Sequence, residues 1–406
     1  MAEVAITRRY GGPMTASRDG ALVSGRLGHS PILDGVRGLA IMMVFLVHFK
    51  FRTWGNPIDA FVDAVFRAGW MWVDLFFVLS GFLITGILLE SKEGARYYRT
   101  FYVRRLLRLF PVYYLTLAVL FLVLPRVLQP PPAELVALVP HQGWYWLYAV
   151  NVFQVLTHGE MSYFNTLHLW SLSVEEQFYL VWPLLVRLAT PTNLLRACVV
   201  LIVTALGIRV GIIASGGSRW AAYSLMPARM DALAAGACVA SLARDPLGSA
   251  WLRRWWRRVA FAALAGIITI IAWNRQYHED DLVVLSIGYV LNAALFAAIL
   301  AGILDRGSWK VFRPLQWQWL RWVGKVSYGA YVYHLLLQLA VDPVKEYFRK
   351  LPPVLGSQLP AEFVWIALMT GFTLLVAWIS YRWFELPFLA LKDRLAPSVA
   401  APSGKR

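Results

Sequence analysis

The chain is short of charge and of cysteine. Only 15% of its 406 residues are Asp, Glu, Lys or Arg, and two are cysteine. So little charge excludes an ordinary soluble domain, in which about a quarter of residues are charged. A mean hydropathy of +0.55 points the same way. Cys198 and Cys238 both fall inside apolar runs, which argues against a disulfide framework or a thiolate metal site. The first 30 residues lack the apolar core of a cleavable signal. They are polar and basic (Arg8, Arg9, Arg18, Arg26) and read as a cytosolic tail, 1–30, ahead of a signal-anchor helix. No period of about 20–50 residues repeats, which excludes a solenoid. The stretch 389–406 is too short for a second domain and reads as a cytosolic tail.

What the chain does have is apolar runs of bilayer length. Ten are expected, near 31–50, 69–90, 106–124, 167–188, 194–214, 226–243, 258–274, 282–304, 321–341 and 362–384. The fold class is therefore all-α, a polytopic transmembrane helical bundle. The basic loops are 91–105, 244–257 and 305–320, while 125–166 and 275–281 are poor in basic residues or acidic. Their alternation predicts both termini in the cytosol. The formal charge of +16 would suggest nucleic acid in a soluble protein. Here it lies in loops and at helix ends, so it reads as topology and contact with membrane lipids, with no nucleic-acid partner. Segment 133–157 is too broken for a further span. Its cluster Trp144, Tyr145, Trp146 and Tyr148 suits an interfacial anchor, a re-entrant cap or an acceptor-binding platform.

Several spans carry polar residues, which are costly in a bilayer and face a protein interior or a wet cavity. In 33–50, LDGVRGLAIMMVFLVHFK, Arg37 and His48 point within roughly 20° of each other, about 16 Å apart along the axis, with Asp34 about 40° away. In FYVRRLLRLFPVYY, Arg104, Arg105 and Arg108 are expected on one side at the cytosolic end of the third span, suited to bidentate phosphate binding or serving only topology. Pro111 is expected to open that helix. Asp74 lies in the outer half of the second span, a partner for His48 or for an arginine, among the small residues Ser80, Gly81 and Gly86. His168, Ser171 and Glu175 form one stripe of the fourth span, with Glu176 and Gln177 pointing elsewhere. Arg229 and Asp231 sit in the sixth span; Ser327, Tyr331 and His334 form a stripe of the ninth. Each can be interhelical glue; together they imply a polar interior, for a substrate path or an active site.

The succession LDGVRGLA, FFVLSGFLI, FYVRRLLRLFPVYY, LWSLSVEEQFYLVWP, RMDAL, SYGAYVYH and FELP resembles the acyltransferase-3 family over 31–388. These are multi-pass O-acyltransferases of the bacterial plasma membrane. The resemblance implies transfer from acyl-CoA, mostly acetyl-CoA, as co-substrate to a hydroxylated acceptor, usually a glycan, with no metal and no permanently bound cofactor. It makes His48 the catalytic histidine and Arg105 and Arg108, with Arg104 adjacent, acyl-CoA contacts. Arg37, Asp74, Glu175 and His334 match other polar motif positions. Ser171, His168, Arg229 and Asp231 are taken as supporting polar groups. Some members add a soluble hydrolase-like domain; none is expected here, so the membrane domain acts alone or a separate protein completes the transfer.

The mechanism then expected places the CoA diphosphate on the arginines and the thioester near His48, a general base oriented by Glu175 or Asp74. Acylation of His48 itself is the other route. The acceptor is left open among envelope glycans and macrolide-type natural products. The competing class is a glycan transporter or flippase, disfavoured by the lack of inverted halves.

Overall fold

The computed structural model describes residues 30–51, 56–157 and 166–397. The N-terminal basic tail and the end of the C-terminal tail lie outside the described residues. Ten long helices match the ten apolar runs, but α3 and α7 begin inside the stretches 91–105 and 244–257 that were expected as basic loops: α1 Pro31–Phe49, α2 Trp72–Glu90, α3 Tyr97–Ala118, α4 Leu169–Leu188, α5 Pro191–Ala214, α6 Met226–Leu242, α7 Pro246–Asn274, α8 Tyr289–Arg306, α9 Gln318–Ala340 and α10 Leu359–Ser380. Among the described residues the only β feature is an isolated bridge between Val354 and Ser357. Eight helical segments are long and apolar enough to cross a membrane; α4 and α9 are not among them. Those two have the length, 20 and 23 residues. They also carry the densest polar stripes, which helices walled by other helices tolerate.

Helix starts follow local chemistry. Proline opens α1, α5 and α7, where its missing N–H costs nothing. Thr190 caps α5 through Asn193 N at 3.2 Å, and Asp245 caps α7 through Gly248 N at 2.7 Å. Two- and three-residue links join α4 to α5 and α6 to α7, so each pair must run antiparallel. Pro111 does not open α3, contrary to the expectation; the helix runs through it. The carbonyl that Pro111 leaves without its helical donor is that of Leu107; two residues on, the Tyr328 hydroxyl donates to Leu109 O at 2.8 Å.

The helices that hold the site cross closely. α2 packs on α6 and α1 on α9. A Cβ on Gly81 would lie 1.9 Å from Leu233 O, and one on Gly236 1.9 Å from Val78 O. At the other crossing a Cβ on Gly324 would lie 1.8 Å from Asp34 O. Only glycine lets these backbones touch.

Candidate active site

The last turn of α1 is fixed from outside. His48 O accepts from Gln338 Nε2 of α9 at 3.1 Å, and Phe49 O accepts from Trp365 Nε1 of α10 at 2.8 Å. This brings the half-buried His48 ring against His334 of α9, their centroids 4.9 Å apart. His334 Nδ1 lies 2.5 Å from Tyr331 O, and its Nε2 lies 3.0 Å from His48 Nδ1. Since a carbonyl only accepts, the neutral pair has one consistent arrangement. His334 donates from Nδ1 to Tyr331 O, and His48 donates from Nδ1 to His334 Nε2. The lone pair of His48 is thereby left on Nε2, which has no partner among the described residues.

His168, just ahead of α4, completes a cluster of three rings, 4.7 Å from His334. Its Nε2 donates to Val332 O at 3.0 Å and its buried Nδ1 is unpartnered. The nitrogens do not converge, and no group of His, Cys, Asp or Glu among the described residues is arranged to hold a metal ion. Ser171 Oγ meets the Tyr331 hydroxyl at 2.5 Å, and that hydroxyl also donates to His168 O at 3.1 Å.

At the opposite end of α1, Arg37 pairs with Asp34 at 3.8 Å and lies within electrostatic reach of Arg105, Arg108, Glu175 and Tyr179. The Arg105 guanidinium stands 4.5 Å over the Tyr179 ring. Arg108 is solvent-exposed, with Arg37, Arg105, Asp34 and Glu385 within electrostatic reach. Three guanidiniums thus gather at one end, a geometry fit for a diphosphate. Arg104 does not join them. It lies about 100° round the helix from Arg105 and pairs with Asp393 at 3.0 Å and Ala396 O at 2.8 Å. The expected single-sided trio splits: Arg105 and Arg108 keep to the side of Arg37, and Arg104 turns to Asp393.

α4 connects the two ends. Glu175 sits beside Ser80, Tyr179, Arg37 and Arg105, not beside His48. The ring partner of His48 is His334, where Glu175 or Asp74 was the expectation. Asp74 is occupied elsewhere: it forms a buried pair with Arg229 and accepts from Asn292 Nδ2 at 3.0 Å. Arg229 in turn lies 4.0 Å over the Tyr289 ring and within 5.6 Å of Phe77, Trp170 and Tyr223. Asp231 pairs with Arg209 at 2.8 Å, both buried. Arg209 was missed from sequence because it stands alone in an apolar run; an intramembrane charge is the signal that would have found it. These pairs tie α2, α5, α6 and α8 together and stand apart from the histidines.

Segment 133–157 forms short helices that pack against α3 and α4. Tyr145 and Tyr148 are buried, and Tyr113 and Tyr114 of α3 donate to Tyr145 O at 2.8 Å and Trp146 O at 3.1 Å. Side chains supply the donors that this irregular backbone lacks.

A family profile described as an acyltransferase domain matches residues 31–382. The chain is 28% identical to a putative peptidoglycan O-acetyltransferase of Bacillus subtilis, over 88% of this chain and 54% of the relative. It is 27% identical to the peptidoglycan O-acetyltransferase OatA of Listeria monocytogenes, over 88% and 55%. It is 26% identical to a putative O-acetyltransferase of Staphylococcus aureus, over 89% and 58%. The chain thus spans about half the length of the curated relatives it matches. No solved structure matches it.

Proposed function

Since the chain belongs to the acyltransferase domain family, we propose that it is a membrane O-acyltransferase of the bacterial plasma membrane. It takes an acyl group, acetyl in the first instance, from acyl-CoA at the arginine end. It delivers the group to a hydroxyl of a cell-envelope glycan at the histidine end, with peptidoglycan favoured by the relatives' names. The observation that carries this is His48, its Nε2 lone pair fixed by His334, on the same helix as Arg37 and its neighbours Arg105 and Arg108.

The chemistry follows from that geometry. The acceptor hydroxyl gives its proton to His48 Nε2 as its oxygen bonds to the thioester carbonyl carbon. The carbon–sulfur bond breaks, and the departing thiolate takes the proton back from the imidazolium. Throughout, His48 Nδ1–H stays on His334 Nε2, so no second proton moves. Glu175, Tyr179 and Ser80 line the way between the two ends.

The test uses membranes containing the protein and acetyl-CoA labelled in the acetyl group. Label is expected in the glycan fraction, with CoA released, and His48→Ala should lower both by about 100-fold or more. Full activity in His48→Ala would overturn the base assignment. Label in a small hydrophobic product would move the acceptor to a natural product. Glycan movement without CoA release would make the protein a flippase.

A further inference from the structure

Four tyrosines of α3, α9 and segment 133–157 cluster toward one carboxylate of α4. Glu176 of α4 lies within electrostatic reach of the hydroxyls of Tyr113, Tyr114, Tyr148 and Tyr328, and of Arg105. Three of the hydroxyls already give their protons to backbone carbonyls: Tyr113 to Tyr145 O, Tyr114 to Trp146 O and Tyr328 to Leu109 O. Tyr148 is different. Its ring stacks on Tyr113 at 4.0 Å and the residue is 7% exposed, yet its hydroxyl has no partner. A buried hydroxyl left unpaired costs about 1–3 kcal/mol. Glu176 is half-buried and makes no hydrogen bond or ion pair among the described residues. The fold holds this arrangement at some expense, with Tyr148 in the left-handed region at φ 52°. Gln177 fixes that residue by donating to Tyr148 O at 3.0 Å and exchanging amide hydrogen bonds with Asn151.

A free donor and a free acceptor within electrostatic reach of each other suit a secondary amide, whose C=O takes the O–H and whose N–H reaches the carboxylate. We propose that Tyr148 and Glu176 bind an amide of the pantetheine arm of the acyl-CoA, an inference that rests on the acyl-CoA donor proposed above. The position suits it. Glu176 lies roughly 12 Å along α4 from His168 at the histidine end, with Arg105 on its other side. The arm spans about a dozen bonds, roughly 14 Å extended, against about 16 Å between Arg37 and His48 along α1, and it carries two amides. On this reading segment 133–157 stands beside the pantetheine arm.

The experiment compares acetyl-CoA, S-acetylpantetheine and S-ethyl thioacetate, which has no amide, on purified protein in lipid nanodiscs. Tyr148→Phe and Glu176→Leu are each expected to lower the preference for S-acetylpantetheine over S-ethyl thioacetate about tenfold, the worth of one hydrogen bond of about 1.4 kcal/mol. The acceptor KM should not move. Tyr148→Phe should also raise the thermal midpoint of the donor-free protein, since it removes an unpaired hydroxyl; a merely structural tyrosine would not behave so. Arg105→Ala instead lowers the preference for acetyl-CoA over S-acetylpantetheine. Wild-type turnover with unchanged donor preference in both variants overturns the box alone. A raised acceptor KM assigns it to the acceptor and overturns it too. Wild-type protein that releases no CoA from acetyl-CoA overturns the donor itself, and the box with it.

Discussion

A neutral imidazole serves as a base only if its lone pair faces the substrate, and a partner on the other nitrogen decides that. For His48 the partner is His334, itself locked by Tyr331 O. His334→Ala should therefore lower kcat about 10–100-fold, the usual effect of losing an orienting partner, and leave the donor KM close to wild type. His334→Gln, whose amide oxygen can accept from His48 Nδ1, should recover part of the loss. Equal falls in kcat and folded yield for both variants would reduce His334 to packing. The alignment of Arg37 with His48 was legible in the sequence because both lie on one helix, where angle and rise are fixed. The partner of His48 was not, because it lies 286 positions away and nothing local says which helices become neighbours. The same limit left Asp74 between two partners until Arg229 and Asn292 were seen beside it. It also hid Glu176, whose companions come from α3, α9 and segment 133–157.

At the scale of elements, the site depends on how closely helices approach. α6 carries Arg229 to Asp74 of α2 only because Gly81 and Gly236 face carbonyl oxygens across the crossing. Gly236→Ala should destabilise the protein by about 1–3 kcal/mol, the usual cost of overpacking, read as a lowered thermal midpoint. Gly371→Ala is the control, since a Cβ there meets nothing within 4 Å. An unchanged midpoint for Gly236→Ala would mean that the crossing is looser than drawn. Eight of the ten helices were legible from apolar length, a strong signal, and α4 and α9 as apolar runs broken by polar stripes. Pro111 does not open α3 because a proline removes only the hydrogen bond to Leu107 O, and packing on neighbouring helices holds the rest of α3 in place. The fold of segment 133–157 stayed open because its carbonyl partners, Tyr113, Tyr114 and Gln177, sit on two other elements.

The whole molecule has two chemically different ends. Contacts between Arg104 and Asp393, Arg244 and Glu90, and Trp256 and Asp305 gather the basic loops at the arginine end. Contacts between Lys50 and Asp63, Trp70 and Tyr277, and Phe51 and Glu362 gather the rest at the histidine end. Sequence charge predicts that the arginine end faces the cytosol, where acyl-CoA is found. Sealed inside-out vesicles, which present that face to the medium, should then consume added acetyl-CoA, whereas sealed right-side-out vesicles should not until they are opened by detergent. CoA itself cannot cross, so sidedness separates the two orientations without any variant. Equal consumption by both sealed preparations would mean that donor and acceptor enter from one side and that the roughly 16 Å between Arg37 and His48 is not the route of the acyl group. Consumption by right-side-out vesicles alone would invert the bundle in the membrane and place the histidines in the cytosol.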